Sequence, residues 1–488
     1  MSTSRLLEAR NLTFSYGNKQ DVLKSVNLTV SPGELVLLTG PTGCGKSTLA
    51  KCLTGFIPHY YQGALGGQVL IDGEDIAGMS LSHIARKVAL VQQDPESQVC
   101  TLNVSDEVAF GPENYQVEST EIVERINDKL AWVGGSHLSQ RPTHAMSGGE
   151  KQRVVIAAML ACEPDYLILD EPSSSLDPPG IVLLRSILTS LKQEGLGILC
   201  IEHNIGAVRT VADRTLAMAD GTLHDGPGRD SAIHSDSTVM RSLGPHPEPL
   251  LVASHLTFSY GHAAAVKDVS ISAAGGEVIG IMGSNGSGKT TLLALLAGLL
   301  KPDSGQVVLG GQPLRDIKRN EALKRVAVVF QNPNHQIFER TVWRDQMLAA
   351  SVAKLPVDVA SEVSGRLLER AGLAQYRESN PFSLSHGQKR RLNLTSTALL
   401  SPQVYLLDEP FIGQDPDGRE FVSRLVNETA DRSGTCIVVT HSPEFVRRHC
   451  TRLVFMSEGA IVLDGPVQSV MKRMNEIGLG EYTVTEVD

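Results

Sequence analysis

The sequence predicts an α/β protein built from two tandem copies of one unit, and three observations predict it. Leu12-Thr13-Phe14-Ser15-Tyr16-Gly17 recurs letter for letter as Leu256-Thr257-Phe258-Ser259-Tyr260-Gly261, an offset of 244 residues. A glycine-rich stretch lies between an apolar run and a helix-forming run in both copies, at Gly40-Pro41-Thr42-Gly43-Cys44-Gly45-Lys46-Ser47-Thr48 and at Gly283-Ser284-Asn285-Gly286-Ser287-Gly288-Lys289-Thr290-Thr291. After each loop, short apolar runs alternate with longer helix-compatible stretches, as a parallel sheet with helical crossovers requires.

Length and composition set the frame. At 488 residues the chain is too long for one core. A net charge of −10 lacks the basic footprint of nucleic-acid binding, so no nucleic-acid partner is expected. The seven cysteines form no C-x-x-C pair and no metal-ligand spacing, which predicts reduced thiols. The opening Met1-Ser2-Thr3-Ser4-Arg5 leads into no apolar segment, so no secretory leader and a cytosolic protein are expected. The longest apolar stretch, Leu292 to Leu300, falls far short of the roughly 20 residues of a membrane span and reads as the helix after the second loop. Any membrane role then runs through partner chains.

Taken in order, each copy opens with alternating side chains, Leu28, Val30 and Val36 or Val269, Ile271 and Val278, which predict half-buried strands. The glycine loop follows, matching G-x-x-x-x-G-K-[ST]. Its backbone amides and the helix N-terminus can wrap a phosphate, Lys46 or Lys289 adds a compact positive charge, and Ser47 or Thr290 offers a hydroxyl to Mg²⁺. Next, an apolar run ends in Gln93 or Gln331, whose neutral amides can reach Mg²⁺ or water. The interval from lysine to glutamine is 47 residues in one copy and 42 in the other. The extra residues fall in Ile57–Gly67, read as a surface insertion, or as a partner contact through Tyr60 and Tyr61.

A helical segment then closes in Ser147-Gly148-Gly149-Glu150 or Ser385-His386-Gly387-Gln388, both fitting a capping box. Val154, Val155, Ala158 and Cys162 give the helix behind the first box one apolar side. An apolar strand carries Asp170-Glu171 or Asp408-Glu409 at its carboxyl end, and another closes in His203 or His441. Glutamine to serine is 54 residues, serine to aspartate 23 and aspartate to histidine 33, in both copies. The aspartate can hold Mg²⁺, the glutamate can take a proton from attacking water, and the histidine can bond a γ-phosphate or orient that water. A polar, proline-spaced linker at 236–249 separates domain 1 (1–235) from domain 2 (250–488).

This order of motifs resembles the nucleotide-binding domains of ABC ATPases, over essentially all of both halves. The resemblance implies two P-loop NTPase domains, each a RecA-like sheet core with an antiparallel β subdomain and a helical subdomain, packed head to tail as an intramolecular ATPase pair. It implies ATP and Mg²⁺ as cofactors, Tyr16 and Tyr260 stacking on adenine, and Asp177 and Asp415 in the loops that link the sites. It also implies that Lys46 works with Ser385 and Gly387, and Lys289 with Ser147, Gly148 and Gly149. His386 departs from the pattern, standing where the family has glycine, and implies unequal sites.

Gln93-Asp94-Pro95-Glu96-Ser97-Gln98-Val99 and Asp106 to Asn114 are similar to the ATPases of energy-coupling factor (ECF) importers of vitamins and metal ions. In the second copy Gln331 to Phe338 fits, whereas Trp343-Arg344-Asp345-Gln346 departs. That likeness implies integral membrane partners, a transmembrane component and a substrate-binding component, a peripheral position on the cytoplasmic face of the membrane, and docking surfaces at 93–114 and 331–347. The rivals fit less well. Twin ABC proteins of ribosomes carry long charged linkers, DNA-repair relatives carry zinc modules or coiled coils, and fused sugar-importer ATPases usually lose the second phosphate loop. A nucleotide switch without transport is the alternative of a different class.

Overall fold

The computed structural model describes residues 5–17, 21–174, 176–203, 205–226, 249–261 and 263–483. These fall into two compact units, 5–226 and 249–483. The linker expected at 236–249 lies outside the described residues except for Pro249, which already opens a strand.

The strands of the first unit are β1 (Leu7–Ser15), β2 (Leu23–Val30), β3 (Leu35–Thr39), β4 (Ala64–Ile71), β5 (Glu74–Asp75), β6 (Val88–Val91), β7 (Tyr166–Asp170), β8 (Gly197–Ile201), β9 (Arg214–Ala219) and β10 (Thr222–Asp225). They form an antiparallel sheet, β2-β1-β4-β5, and a mixed one, β10-β9-β3-β8-β7-β6, in which all but β10 run parallel. In the second unit the strands are β11 (Pro249–Tyr260), β12 (Ala263–Ala274), β13 (Val278–Gly283), β14 (Ser304–Leu309), β15 (Gln312–Pro313), β16 (Val326–Val329), β17 (Val404–Asp408), β18 (Thr435–Val439), β19 (Arg452–Ser457) and β20 (Ala460–Pro466). Their sheets, β12-β11-β14-β15 and β16-β17-β18-β13-β19-β20, repeat the topology of the first.

The parallel sheet is the middle layer of each unit. Val36 and Leu38 of β3 pack toward the antiparallel sheet and the Lys46–Leu53 helix, while Leu35 and Leu37 pack toward the helices on the other face. Val36 and Val278 were expected on half-buried strands, but every residue of β3 and β13 is buried. The run Leu35 to Leu38 is apolar without a break, as a strand buried on both faces is, because crossover helices cover the side that water would otherwise wet.

Between β6 and β7 the chain leaves the sheet for the helices Val104–Asn114, Ser119–Trp132 and Gly148–Ala161; Val342–Val352, Val357–Arg370 and His386–Ala398 are their counterparts. The Gly148–Ala161 helix was expected to be amphipathic. Instead Val154, Val155, Ile156, Ala157 and Ala158 are all buried, since sheet and helices enclose it together. Of the expected insertion, Ala64–Gly67 extends β4 beside Thr13, Phe14 and Ser15, leaving Tyr60 and Tyr61 on a short exposed corner. No helix among the described residues is long and apolar enough to cross a membrane.

Candidate functional site

Because β3, β6, β7 and β8 run parallel, the loops leaving their carboxyl ends collect at one edge of the sheet, where open α/β sheets bind ligands. The phosphate loops hang there, between β3 and the Lys46–Leu53 helix and between β13 and the Lys289–Leu296 helix. Gly40 and Gly283 have φ of 147° and 150°, and a Cβ on either would run into the carbonyl oxygen of Met218 or Met456. Only glycine fits those two positions.

Both helices start from a glycine N-cap that supplies no side-chain bond, which leaves first-turn amides facing the loop. Lys46 Nζ donates to the carbonyls of Gly40 (2.7 Å) and Pro41 (2.9 Å), and Lys289 Nζ to those of Gly283 (2.8 Å) and Ser284 (2.7 Å). The Thr42 and Ser287 hydroxyls are buried with no partner among the described residues. Such a cradle, lined by amides, a buried ammonium and orphan hydroxyls, fits a polyphosphate. Burial raises the Cys44 thiol, so it is less reactive than an exposed cysteine.

The acid pairs stand beside the loops. Thr290 Oγ1 donates to Asp408 Oδ2 at 2.6 Å, and in the first unit the Ser47 hydroxyl stands close enough to Asp170 to favour its ionised form. A hydroxyl paired with a carboxylate is the oxygen set that a hard divalent cation prefers, so the residues present fit Mg²⁺. Glu171 and Glu409, one residue further on, have φ of 53° and 47°, in the left-handed region. Their amides donate back to Ile201 O (2.9 Å) and Val439 O (3.0 Å), which fixes the unusual backbone to the next strand.

His203 Nε2 lies 3.1 Å from Glu171 Oε1 and 3.5 Å from Lys46 Nζ, and the Gln93 amide donates to the Glu171 carboxylate. In the second unit His441 Nε2 lies 3.3 Å from Glu409 Oε1. The Gln331 amide makes no bond to Glu409 among the described residues. The loops thus bring together every expected acid, histidine, lysine and hydroxyl within each unit.

Burial pushes Asp170 up to about 6, with the Glu171 charge adding to it, and Asp408 is raised for the same first reason. Glu409 is raised by burial and by the Asp408 charge. Sequence reading passed over Glu202, which is fully buried beside the acid pair, accepts a bond from the Ser173 amide (2.8 Å) and is pushed up by burial to about 8. From its ordinary value of 4.5 up to about 8 the folded state holds this proton more tightly than the unfolded chain. Stability therefore falls as pH rises through that window. Glu202→Gln removes the effect, so from pH 5 to pH 9 the melting temperature of the variant should fall by a few degrees less than that of the wild type. Equal losses in thermal scans would refute it.

Ser147 and Ser385 are N-caps with both halves of the capping box formed: Glu150 and Gln388 accept from the serine amides at 2.8 and 3.0 Å. A Cβ on Gly387 would collide with Gly413 O. Gly148 and His386 each open their helix and neither has a positive φ, so backbone conformation does not demand glycine there. What His386 changes is the space its imidazole takes. Asp177 and Asp415 are helix N-caps, accepting from Gly180 (3.0 Å) and Gly418 (2.8 Å). Tyr16 and Tyr260 each meet a phenylalanine edge-on, Phe14 and Phe258, and the Tyr16 hydroxyl lies 3.4 Å from Thr48 Oγ1.

One recurring device was missed. Gln98 Oε1 accepts from the Gln92 amide and its Nε2 donates to Leu90 O; Gln336 does the same with Phe330 and Val328. A second glutamine five residues after Gln93 and after Gln331 was its signal. Each staple ties the loop beyond the glutamine to the end of β6 or β16. Lys151 to Glu96, and Lys389 to Asn334 (3.1 Å), tie the same loop to the helix that follows the capping box.

Sheet order, phosphate loop, acid pair and capped glycine helix together define an ATP-hydrolysing domain, present twice. A model of the family described as ABC transporter matches residues 23–174 and 266–412, more than half of the chain, which therefore belongs to the ABC transporter ATPases. The putative HMP/thiamine import ATP-binding protein YkoD of Bacillus subtilis is 33% identical, over 94% of this chain and 91% of that protein. A putative ABC transporter ATP-binding protein of Treponema denticola is 31% identical over 94% and 96%. Among solved structures, the ribosome-bound archaeal Pelota and ABCE1 assembly has a chain with a TM-score of 0.69, at 23% identity, over 96% of this chain and 80% of that one, a likeness of fold.

Proposed function

We propose that this chain is the paired ATPase of an ECF-type importer, docked on the cytoplasmic face of the membrane against a transmembrane component and a substrate-binding component, and that it drives uptake of a vitamin or metal ion. Lys46 and Lys289, with the loop amides, hold the β- and γ-phosphates of ATP. Ser47 with Asp170 and Gln93, and Thr290 with Asp408 and Gln331, would hold Mg²⁺. When bound, the ion neutralises charge developing on the phosphates. Glu171 and Glu409 take the proton of the attacking water, and His203 and His441 orient it.

The observation that carries the transport reading is the loop after each glutamine. It is stapled to the site edge and to the helix that follows the capping box, and it exposes apolar side chains: Leu102 is 76% and Phe338 71% exposed. Buried acids hold these segments in shape, Glu107 accepting from Thr101 N (2.8 Å) and Asp345 from Phe338 N (2.8 Å). An exposed apolar tip on a rigid base suits a helix end offered by a membrane subunit. The name of the Bacillus subtilis relative supports import, and a substrate of the vitamin class.

The test is recovery from detergent-solubilised membranes. The tagged chain is expected to bring a polytopic membrane subunit with it, and Leu102→Asp with Phe338→Asp to cut that recovery about tenfold while melting temperature holds. Recovery of wild type with ribosomes or DNA in place of a membrane subunit would overturn the reading.

A further inference from the structure

Arg390 lies five residues past Ser385, in the second turn of the His386–Ala398 helix, and is fully buried. A buried guanidinium needs partners, and this one finds them on backbone. Its Nη1 donates to the carbonyl of Glu409 and, at 3.4 Å, to that of Asp408; its Nη2 donates to the carbonyl of Gln331. One side chain thus bridges the end of β17, which carries the base, and the loop leaving β16, which carries the glutamine. Burial brings it down to about 10, so it stays charged at neutral pH, facing the Asp408 and Glu409 carboxylates.

The first unit is built differently at this point. Five residues past Ser147 stands Gln152, equally buried, and neither of its polar side-chain atoms has a partner among the described residues. There the glutamine and the base meet through their own side chains, Gln93 to Glu171.

We propose that Arg390 is a positioning residue: by holding the Gln331 and Glu409 carbonyls on one planar fork, it fixes the base and the glutamine loop of the second unit together and makes that unit the faster hydrolytic site. This rests on the reading of Glu409 as the base. A left-handed glutamate persists only where its surroundings over-determine it, and the fork on Glu409 O and Gln331 O adds to the backbone bonds Glu409 N to Val439 O and Ile412 N to Glu409 O, which Glu171 matches with Ile201 and Ser174 but without a fork. Gln152 is too short to span the same carbonyls and carries no charge, so the first unit lacks the brace.

The test uses the full chain. Arg390→Gln, which copies the first unit, should lower kcat about tenfold and leave KM for ATP within twofold, since a small misplacement of the reacting groups acts on turnover more than on binding. Arg390→Lys keeps the charge but loses the fork and should fall between, about threefold down, with an unchanged melting temperature. Vanadate-dependent labelling by 8-azido-ATP, located by peptide mapping, should drop in the second unit and persist in the first. Unchanged kcat in Arg390→Lys, or equal loss of label from both units, overturns the proposal. If Arg390→Gln fails to fold, Arg390→Lys decides alone by the same criteria. Glu409→Gln separates the two readings: full second-unit labelling in that variant removes the base assignment, whereas its loss beside an unaffected Arg390→Lys removes only the brace.

Discussion

Glu171→Gln combined with Glu409→Gln should lower ATP turnover by about 10²–10³-fold while ATP stays bound, because a positioned general base contributes on that scale and an amide cannot take the proton. Each glutamate stands one residue beyond the carboxylate that pairs with the loop hydroxyl, and each carboxylate lies beside a histidine, at 3.1 Å in the first unit and 3.3 Å in the second. Glutamine keeps size and hydrogen bonding, so phosphate and metal binding should survive. Steady-state phosphate release and a fluorescent-nucleotide titration on one preparation check both halves of the expectation. Turnover within fivefold of wild type in the double variant would remove these residues from the role of base.

Gly40→Ala and Gly283→Ala carry the second large effect. At φ near 150° a non-glycine residue is strained by about 1–3 kcal/mol, and the new Cβ meets a backbone carbonyl that cannot turn aside. The loop must open to admit it, and with it go the amides that face the phosphate. Each substitution should reduce the nucleotide bound per chain from two to one, and the pair should abolish binding, as equilibrium dialysis would read. Full stoichiometry in Gly40→Ala would show that the loop tolerates the shift. Gly43→Ala is the control, since a Cβ there meets nothing and only φ opposes it.

The parts of the site that chemistry dictates were legible in the sequence. Glycines at fixed spacing before lysine, acids at the end of an apolar run and a serine three residues before Glu150 or Gln388 each follow from one local requirement, and the repeat confirmed the register. Properties set by distant packing were harder to read. The enclosure of β3 and of the Gly148–Ala161 helix left a trace in the unbroken apolar runs Leu35–Leu38 and Val154–Ala161, but a half-buried strand and a one-sided helix were read there instead. The left-handed glutamates were hidden because no residue type announces that backbone when chemistry has already chosen it. Arg390 drew no reading from the sequence, because a cation near a helix start does not announce its own burial; its mismatch with Gln152 at the same offset was a signal.

The conformation of those glutamates bears on how the protein can be improved. Glycine or asparagine takes a φ near +50° at less cost, by about 1 kcal/mol, so the residue that chemistry requires at 171 and 409 is not the one the backbone would choose. Selection for heat resistance alone would drift toward inert chains at these two positions. A library aimed at a hardier transporter ATPase therefore has to be screened on phosphate release as well as on melting.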